Sequence, residues 1–176
     1  MARRDLPRSS VAQGRRFRTY VAKGMSKRSI LATDRRKRLS EKKLKLARRN
    51  AQGLLLFFCD VDSPKTINDS YGHREGDLAI VRAADALEQT FRNSDILARL
   101  GGDEFAVLAM EASTQSQEVI LHRLEKSLNA NQSRYEMSLS VGLARFDPKH
   151  PVSLGELMAQ ADRAMYEQKR SRLERS

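Results

Sequence analysis

Three observations predict an α/β (α+β) fold, a split βαβ sheet with helices packed on it. Gly53–Cys59 reads GLLLFFC, an unbroken apolar run of strand length that suits a central strand covered on both faces. Ile96–Leu100 and Glu104–Met110 read as hairpin arms joined across Gly101-Gly102, where two glycines permit the positive φ angles of a tight turn. Around these strands, apolar residues recur at helical spacing.

Taken in order, residues 1–33 are rich in Arg, Lys, Ser and Gly without a sustained apolar period, the composition of a disordered arm. A weakly amphipathic helix is expected over 34–50, with Leu39, Leu44 and Ala47 its few apolar residues among many cations. The domain proper is expected to occupy 51–170, followed by a short tail, 171–176. After the first strand, Ile80, Ala84, Leu87 and Phe91 lay one stripe of a helix running from about Glu75 to Phe91. The hairpin follows, then a helix over about Gln115–Asn129. Tyr135, Met137, Leu139, Val141 and Leu143 alternate with Glu136, Ser138, Ser140, Gly142 and Ala144, which predicts a strand with one face in the core. Ser153 and Glu156 form a capping box opening the last helix, whose stripe is Leu154, Leu157, Met158, Ala161 and Met165. This is the split βαβ, ferredoxin-like order, in which the first and third strands lie side by side and antiparallel.

The formal net charge of +11 is unevenly spread. The first 50 residues hold 18 Lys/Arg against 3 Asp/Glu, and the rest hold 15 against 19. The chain is therefore a basic arm on a mildly acidic globule, and its high pI says little about what the globule binds. Such an arm is compatible with nucleic acid or an anionic membrane, but it contains little aromatic interleaving, and solvated charge accounts for it equally well. The single cysteine, Cys59, excludes an internal disulfide and points to a reducing, cytoplasmic compartment. No apolar stretch has the roughly 20 residues of a membrane span, and the arginine-dense start lacks the apolar centre of a secretory signal.

Pairing the first and third strands brings Asp60-Val61-Asp62 beside Asp103-Glu104, so carboxylates gather at one edge of the sheet. Crowded carboxylates repel one another, and bound cations resolve such clusters. Hard oxygen ligands point to Mg²⁺, with Mn²⁺ able to substitute, and Mg²⁺ commonly completes its shell with substrate phosphates. Gly101 and Gly102, lacking side chains, let backbone N–H groups approach a triphosphate closely.

The strings Asp60-Val61-Asp62, Ile67-Asn68-Asp69, Gly72-His73, Gly76-Asp77 and Gly101-Gly102-Asp103-Glu104-Phe105 resemble, in order and spacing, the signature of GGDEF diguanylate cyclases. The match runs from about Leu54 to Lys169. The resemblance implies a palm-type domain, shared with nucleic-acid polymerases and class III nucleotide cyclases, that binds one GTP per protomer. It implies a homodimer in which each 3′-hydroxyl attacks the other GTP's α-phosphate, giving cyclic di-GMP.

By the same resemblance, Asp60, the Val61 carbonyl and Asp103 hold the metal, Asp103 and Glu104 are the catalytic acidic residues, and Asp103 accepts the proton. Asn68 and Asp77 read guanine, residue types that equally well cap helices. His73 lies near that pocket, Gly101 and Gly102 line the triphosphate, and Lys65 and Lys169 meet phosphates. Arg92-Asn93-Ser94-Asp95 fits the family's RxxD inhibitory site for cyclic di-GMP, and Arg123 matches its second arginine. The chain departs from the family in three places. The DxLTGLxNRR segment is replaced by Met25–Arg36, the usual His-Phe is Ser63-Pro64, and the usual Gly-Arg-Asn after the last helix is Arg172-Leu173-Glu174. Two functional readings follow, a diguanylate cyclase and a catalytically silent module binding cyclic di-GMP or GTP, and the intact acidic cluster favours the first.

Overall fold

The computed structural model describes residues 27–110, 116–130 and 135–173. Most of the arm and the end of the tail lie outside the described residues. Helix α1 spans Lys27–Arg49 and so begins before Asp34, within the segment expected to be disordered. Lys27–Thr33 contains no glycine or proline to stop a helix from propagating. Its buried face is Ser40, Leu44 and Ala47, whereas Leu39, expected among the apolar contacts, is 45% exposed.

The chain continues as β1 (Leu54–Val61), α2 (Pro64–Tyr71), α3 (His73–Thr90), β2 (Ile96–Gly101), β3 (Glu104–Met110), α4 (Ser116–Asn129), β4 (Leu139–Phe146) and α5 (Leu154–Leu173). Helix α2 was not expected, because PKTINDSY is short and rich in residues that favour turns. Proline in its first turn, where the missing N–H costs nothing, and the buried Ile67 hold it in place. Ser63 ahead of it adopts a left-handed conformation, φ 53° and ψ 43°. That is a strained arrangement for a residue preceding proline.

The sheet order is β2-β3-β1-β4, with every adjacent pair antiparallel. Strand β1 is thus central, as its apolar run requires. Its side chains alternate between two cores: Leu55, Phe57, Cys59 and Val61 face the cluster formed with α3 and α4, while Leu54, Leu56 and Phe58 face the one formed with α1 and α5. Each such side chain contributes about 1.5–3 kcal/mol relative to exposure. Burial alone pushes the Cys59 thiol up to about 12, so it stays protonated and behaves as a hydrophobe.

Strand β4 departs from the sequence reading in two ways. Tyr135 and Met137 precede it rather than lying within it. Tyr135 instead donates its hydroxyl to the Glu75 carbonyl at 3.0 Å and accepts from Arg82 at 3.0 Å. The face expected to meet solvent is buried too, with Ser140, Gly142, Ala144 and Phe146 lying under α5. Small residues there read as polar alternation, but their size is what admits a closely packed helix. The capping box forms as expected: the Ser153 N–H donates to Glu156 at 2.8 Å and the Glu156 N–H donates to the Ser153 hydroxyl at 3.2 Å.

Candidate functional site

The period-2 alternation of β1 sends Asp60 to the α5 side of the sheet, and in the β1–β3 register it stands opposite Glu104. The Val61 N–H donates to the Asp103 carbonyl at 3.2 Å, which fixes the turn carrying Asp103 against the end of β1. Four carboxylates were expected to converge, and Asp60, Asp62 and Asp103 all act on Lys169, with Asp62 bound in addition by two hydroxyls. Asp62 accepts from the hydroxyls of Ser138 and Ser140 at 2.7 and 2.5 Å, two residues the sequence reading assigned to the solvent face. Asp60, Asp103 and Glu104 form the inner group.

Lys169 provides the counter-charge. The stripe Leu157, Ala161 and Met165 of α5 continues one turn further to Lys169, whose ammonium donates to Asp60 Oδ1 at 2.6 Å. That bond, above all, raises the Lys169 pKa against the opposing effect of burial. Glu104 shows the residual strain of the cluster. Its pKa is raised first by desolvation, then by Asp103, Asp60 and Asp162, with Lys169 acting the other way. Asp162, on α5, was missed because only tertiary packing brings it near.

The Gly101-Gly102 turn is also held by a residue that sequence reasoning overlooked. Arg99 donates to the Gly102 carbonyl through both Nε, at 3.0 Å, and Nη2. A β-bulge between Arg99 and Gly101 accompanies this clamp, and neither Gly101 nor Gly102 takes the positive φ expected of the pair, the bulge and the arginine shaping the turn instead. The signal is local, since an arginine two residues before a glycine pair can fold back onto the turn's carbonyl.

Asn68 lies half-buried on α2 and Asp77 exposed in the first turns of α3, on either side of the helix junction, with His73 exposed at the start of α3 and Lys65 exposed in the first turn of α2. Neither Asn68 nor Asp77 caps a helix: Ser63 and Gly72 occupy the N-cap positions, without side-chain cap bonds. Gly76 leaves room for the Asn68 amide where it stands, because a Cβ there would lie 1.9 Å from Asn68 Oδ1 and the side chain would have to turn away. Since α2 starts directly after β1, this junction sits at the same end of the sheet as the carboxylates.

Arg92, Asp95 and Arg123 gather at the other end of β2, about 20 Å from the Gly101-Gly102 turn by the rise of a six-residue strand. Asp95 is only 7% exposed in its side chain, accepting from the Arg92 N–H at 2.9 Å and more weakly from the Met110 N–H at 3.4 Å. Arg92 is exposed beside it. Arg123 donates to the Thr90 carbonyl at 2.8 Å, closing the end of α3 next to the turn.

Among the described residues no three His, Cys, Asp or Glu side chains form a metal cage. Two carboxylates, a main-chain carbonyl and open positions are nevertheless a donor set suited to Mg²⁺, which keeps waters and substrate phosphates in its shell. The repulsion borne by Glu104 is what a cation would relieve. No helix among the described residues is long and apolar enough to cross a membrane.

Comparison with known proteins agrees with this geometry. The family model "Diguanylate cyclase, GGDEF domain" matches residues 35–175. The probable diguanylate cyclase DgcJ of Escherichia coli is 33% identical over 153 residues, 87% of this chain and 29% of that protein. The chain spans about a third or less of the length of the curated relatives it matches. The crystal structure of the GGDEF domain of YfiN (TpbB) from Pseudomonas aeruginosa superposes with a TM-score of 0.71 at 36% identity, covering 79% of this chain and 89% of that one. A microbial GGDEF domain whose structure describes its interaction with cyclic di-GMP superposes with a TM-score of 0.63 at 28% identity, covering 80% and 86%. The chain belongs to the GGDEF domain family of diguanylate cyclases.

Proposed function

We propose that this chain is a diguanylate cyclase, condensing two GTP into cyclic di-GMP and two pyrophosphates at a site completed by two protomers. The observation that carries this reading is the β1–β3 register, which sets Asp60 opposite Glu104 and ties Asp103 to Val61, with Lys169 neutralising part of the charge. Each 3′-hydroxyl attacks the α-phosphorus of the partner's GTP, the α–β anhydride breaks, and pyrophosphate leaves. Mg²⁺ held by Asp60, the Val61 carbonyl and Asp103 would supply charge neutralisation at the phosphate oxygens. Asp103 receives the hydroxyl proton, and Glu104 completes the acidic group. Lys169 and Lys65 carry the phosphate charge, Lys169 exchanging its Asp60 partner for it. The turn clamped by Arg99 presents its backbone to the triphosphate.

Asn68 and Asp77, with His73 nearby, read the base. Gly76→Ala is expected to weaken GTP binding about tenfold, since its methyl group forces the Asn68 amide out of position and so costs the proposed hydrogen bond to guanine. Thermal stability should hold or rise slightly, because alanine favours the helix. Calorimetric titration with GTP together with a melting curve checks both halves.

Arg92 and Arg123 form the product-binding pair for cyclic di-GMP, with Asp95 shaping the turn between them. Their separation from the acidic edge by the length of β2 makes inhibition noncompetitive. Chromatography of the products after incubation with GTP and Mg²⁺ tests the whole reading. Specific activity should rise with protein concentration, because each site needs two protomers. Cyclic di-GMP binding without synthesis at any concentration would identify a silent binding module instead.

A further inference from the structure

Lys43 lies on the buried side of α1, between Ser40 and Leu44, where an apolar residue would be the ordinary choice. Its ammonium has three donors and finds three acceptors outside its own helix: the Ser94 carbonyl at 2.8 Å, the Leu108 carbonyl at 3.3 Å and Asp95 Oδ1 at 3.6 Å. Two of these belong to the Arg92–Asp95 turn and the third to β3. The side chains of Lys43 and Asp95 are 15% and 7% exposed, so the pair is largely shielded from water. Burial lowers the Lys43 pKa, partly countered by Asp95, which marks the position as costly for a charge.

The turn itself closes around the same carboxylate. The Asp95 N–H donates to the Arg92 carbonyl at 2.9 Å, and the Arg92 N–H returns a bond to Asp95 Oδ2 at 2.9 Å. Arg92 therefore takes its position from a ring of bonds that Lys43 anchors from outside. A shape-filling residue would serve packing alone, whereas a buried cation fixes where the carboxylate and the Ser94 carbonyl point.

We propose that Lys43 is a positioning residue for product inhibition: by holding Asp95 and Ser94 it sets the turn so that Arg92 meets cyclic di-GMP, and it couples that site to the placement of α1. The inference rests on the reading of Arg92 as a cyclic di-GMP contact. Coupling is reciprocal, so ligand at the turn also tightens α1 against β2 and β3.

Titration of the full chain with cyclic di-GMP, alongside the KM for GTP, tests it with Lys43→Met, Lys43→Arg and Arg92→Ala. Lys43→Met should weaken cyclic di-GMP binding about tenfold with the KM for GTP unchanged, while Lys43→Arg, which keeps the charge and donors, should recover most of the affinity. If Lys43→Met does not fold, Lys43→Gln carries the same expectation. Weakening by Arg92→Ala but not by Lys43→Met overturns the role of Lys43 and leaves the Arg92 reading standing. No weakening by either overturns both. Equal losses in GTP and cyclic di-GMP affinity would reduce Lys43 to general packing and overturn the positioning role.

Discussion

Asp103→Asn is expected to cut cyclic di-GMP synthesis by at least about a thousandfold, the rate equivalent of the several kcal/mol that metal-assisted charge stabilisation supplies. The substitution keeps the side chain's shape but removes both the anionic oxygen for Mg²⁺ and the proton acceptor. The same change should slightly raise the melting temperature of the nucleotide-free protein at neutral pH. Glu104 explains the sign. Its folded pKa lies above the unfolded value, so the native state binds the extra proton and stability falls as pH rises through that window. Above that window the cost is present, and Asp103 contributes part of it, after desolvation. Removing that charge relieves the repulsion, as expected where a site keeps strain for function. Initial rates measured by chromatography, with melting curves in chelator, check the two effects together. Undiminished synthesis would defeat the assignment of Asp103, and a lower melting temperature would show that the carboxylate stabilises the turn rather than straining it.

Much of this architecture could be read before any coordinates. The apolar run Leu54–Cys59 marks a central strand because nothing else of that length needs cover on both faces, and the paired glycines locate the hairpin. The capping box at Ser153 and Glu156 is local chemistry and therefore legible. What escaped depends on distant partners. Helix α2 hides in a polar octapeptide whose only buried residue is Ile67. Arg99, Asp162 and Lys43 look like surface charges until folding sets them beside a turn carbonyl, the Glu104 carboxylate and the shielded Asp95 carboxylate. That Asp62 is tied to Ser138 and Ser140, just before and within β4, was equally hidden, because only folding brings those hydroxyls to it. The misread face of β4 has a similar cause: Ser140, Gly142 and Ala144 are small enough to pass for a solvent face.

Gly142 gives that face its sharpest test. It stands opposite Phe58 in the β1–β4 register, on the side covered by α5. A Cβ at this position would lie 1.9 Å from the Ala161 carbonyl oxygen and 2.3 Å from the Met165 nitrogen. Both are backbone atoms of one helix, so no side-chain rotation relieves the clash, and the helix must move off the sheet. Overpacking of this kind costs about 3 kcal/mol, at the upper end of its usual range, and the modest gain from replacing a strand glycine does not offset it. For a domain of this size that corresponds to a fall of about 10 °C in melting temperature. The displacement also reaches the acidic edge. The Val141 N–H donates to Gln168 Oε1 at 2.7 Å, and Lys169 next to it holds Asp60, so a shifted α5 withdraws the counter-charge from the cluster. Gly142→Ala should therefore lose stability and synthesis together. Gly102→Ala is the control for stability, because a Cβ there meets nothing within 4 Å and its fold should melt as the unmodified chain does. Equal melting temperatures for Gly142→Ala and Gly102→Ala would mean that α5 does not need the absence of a side chain on β4, and the close approach of helix to strand would have to be abandoned as the reason for the glycine.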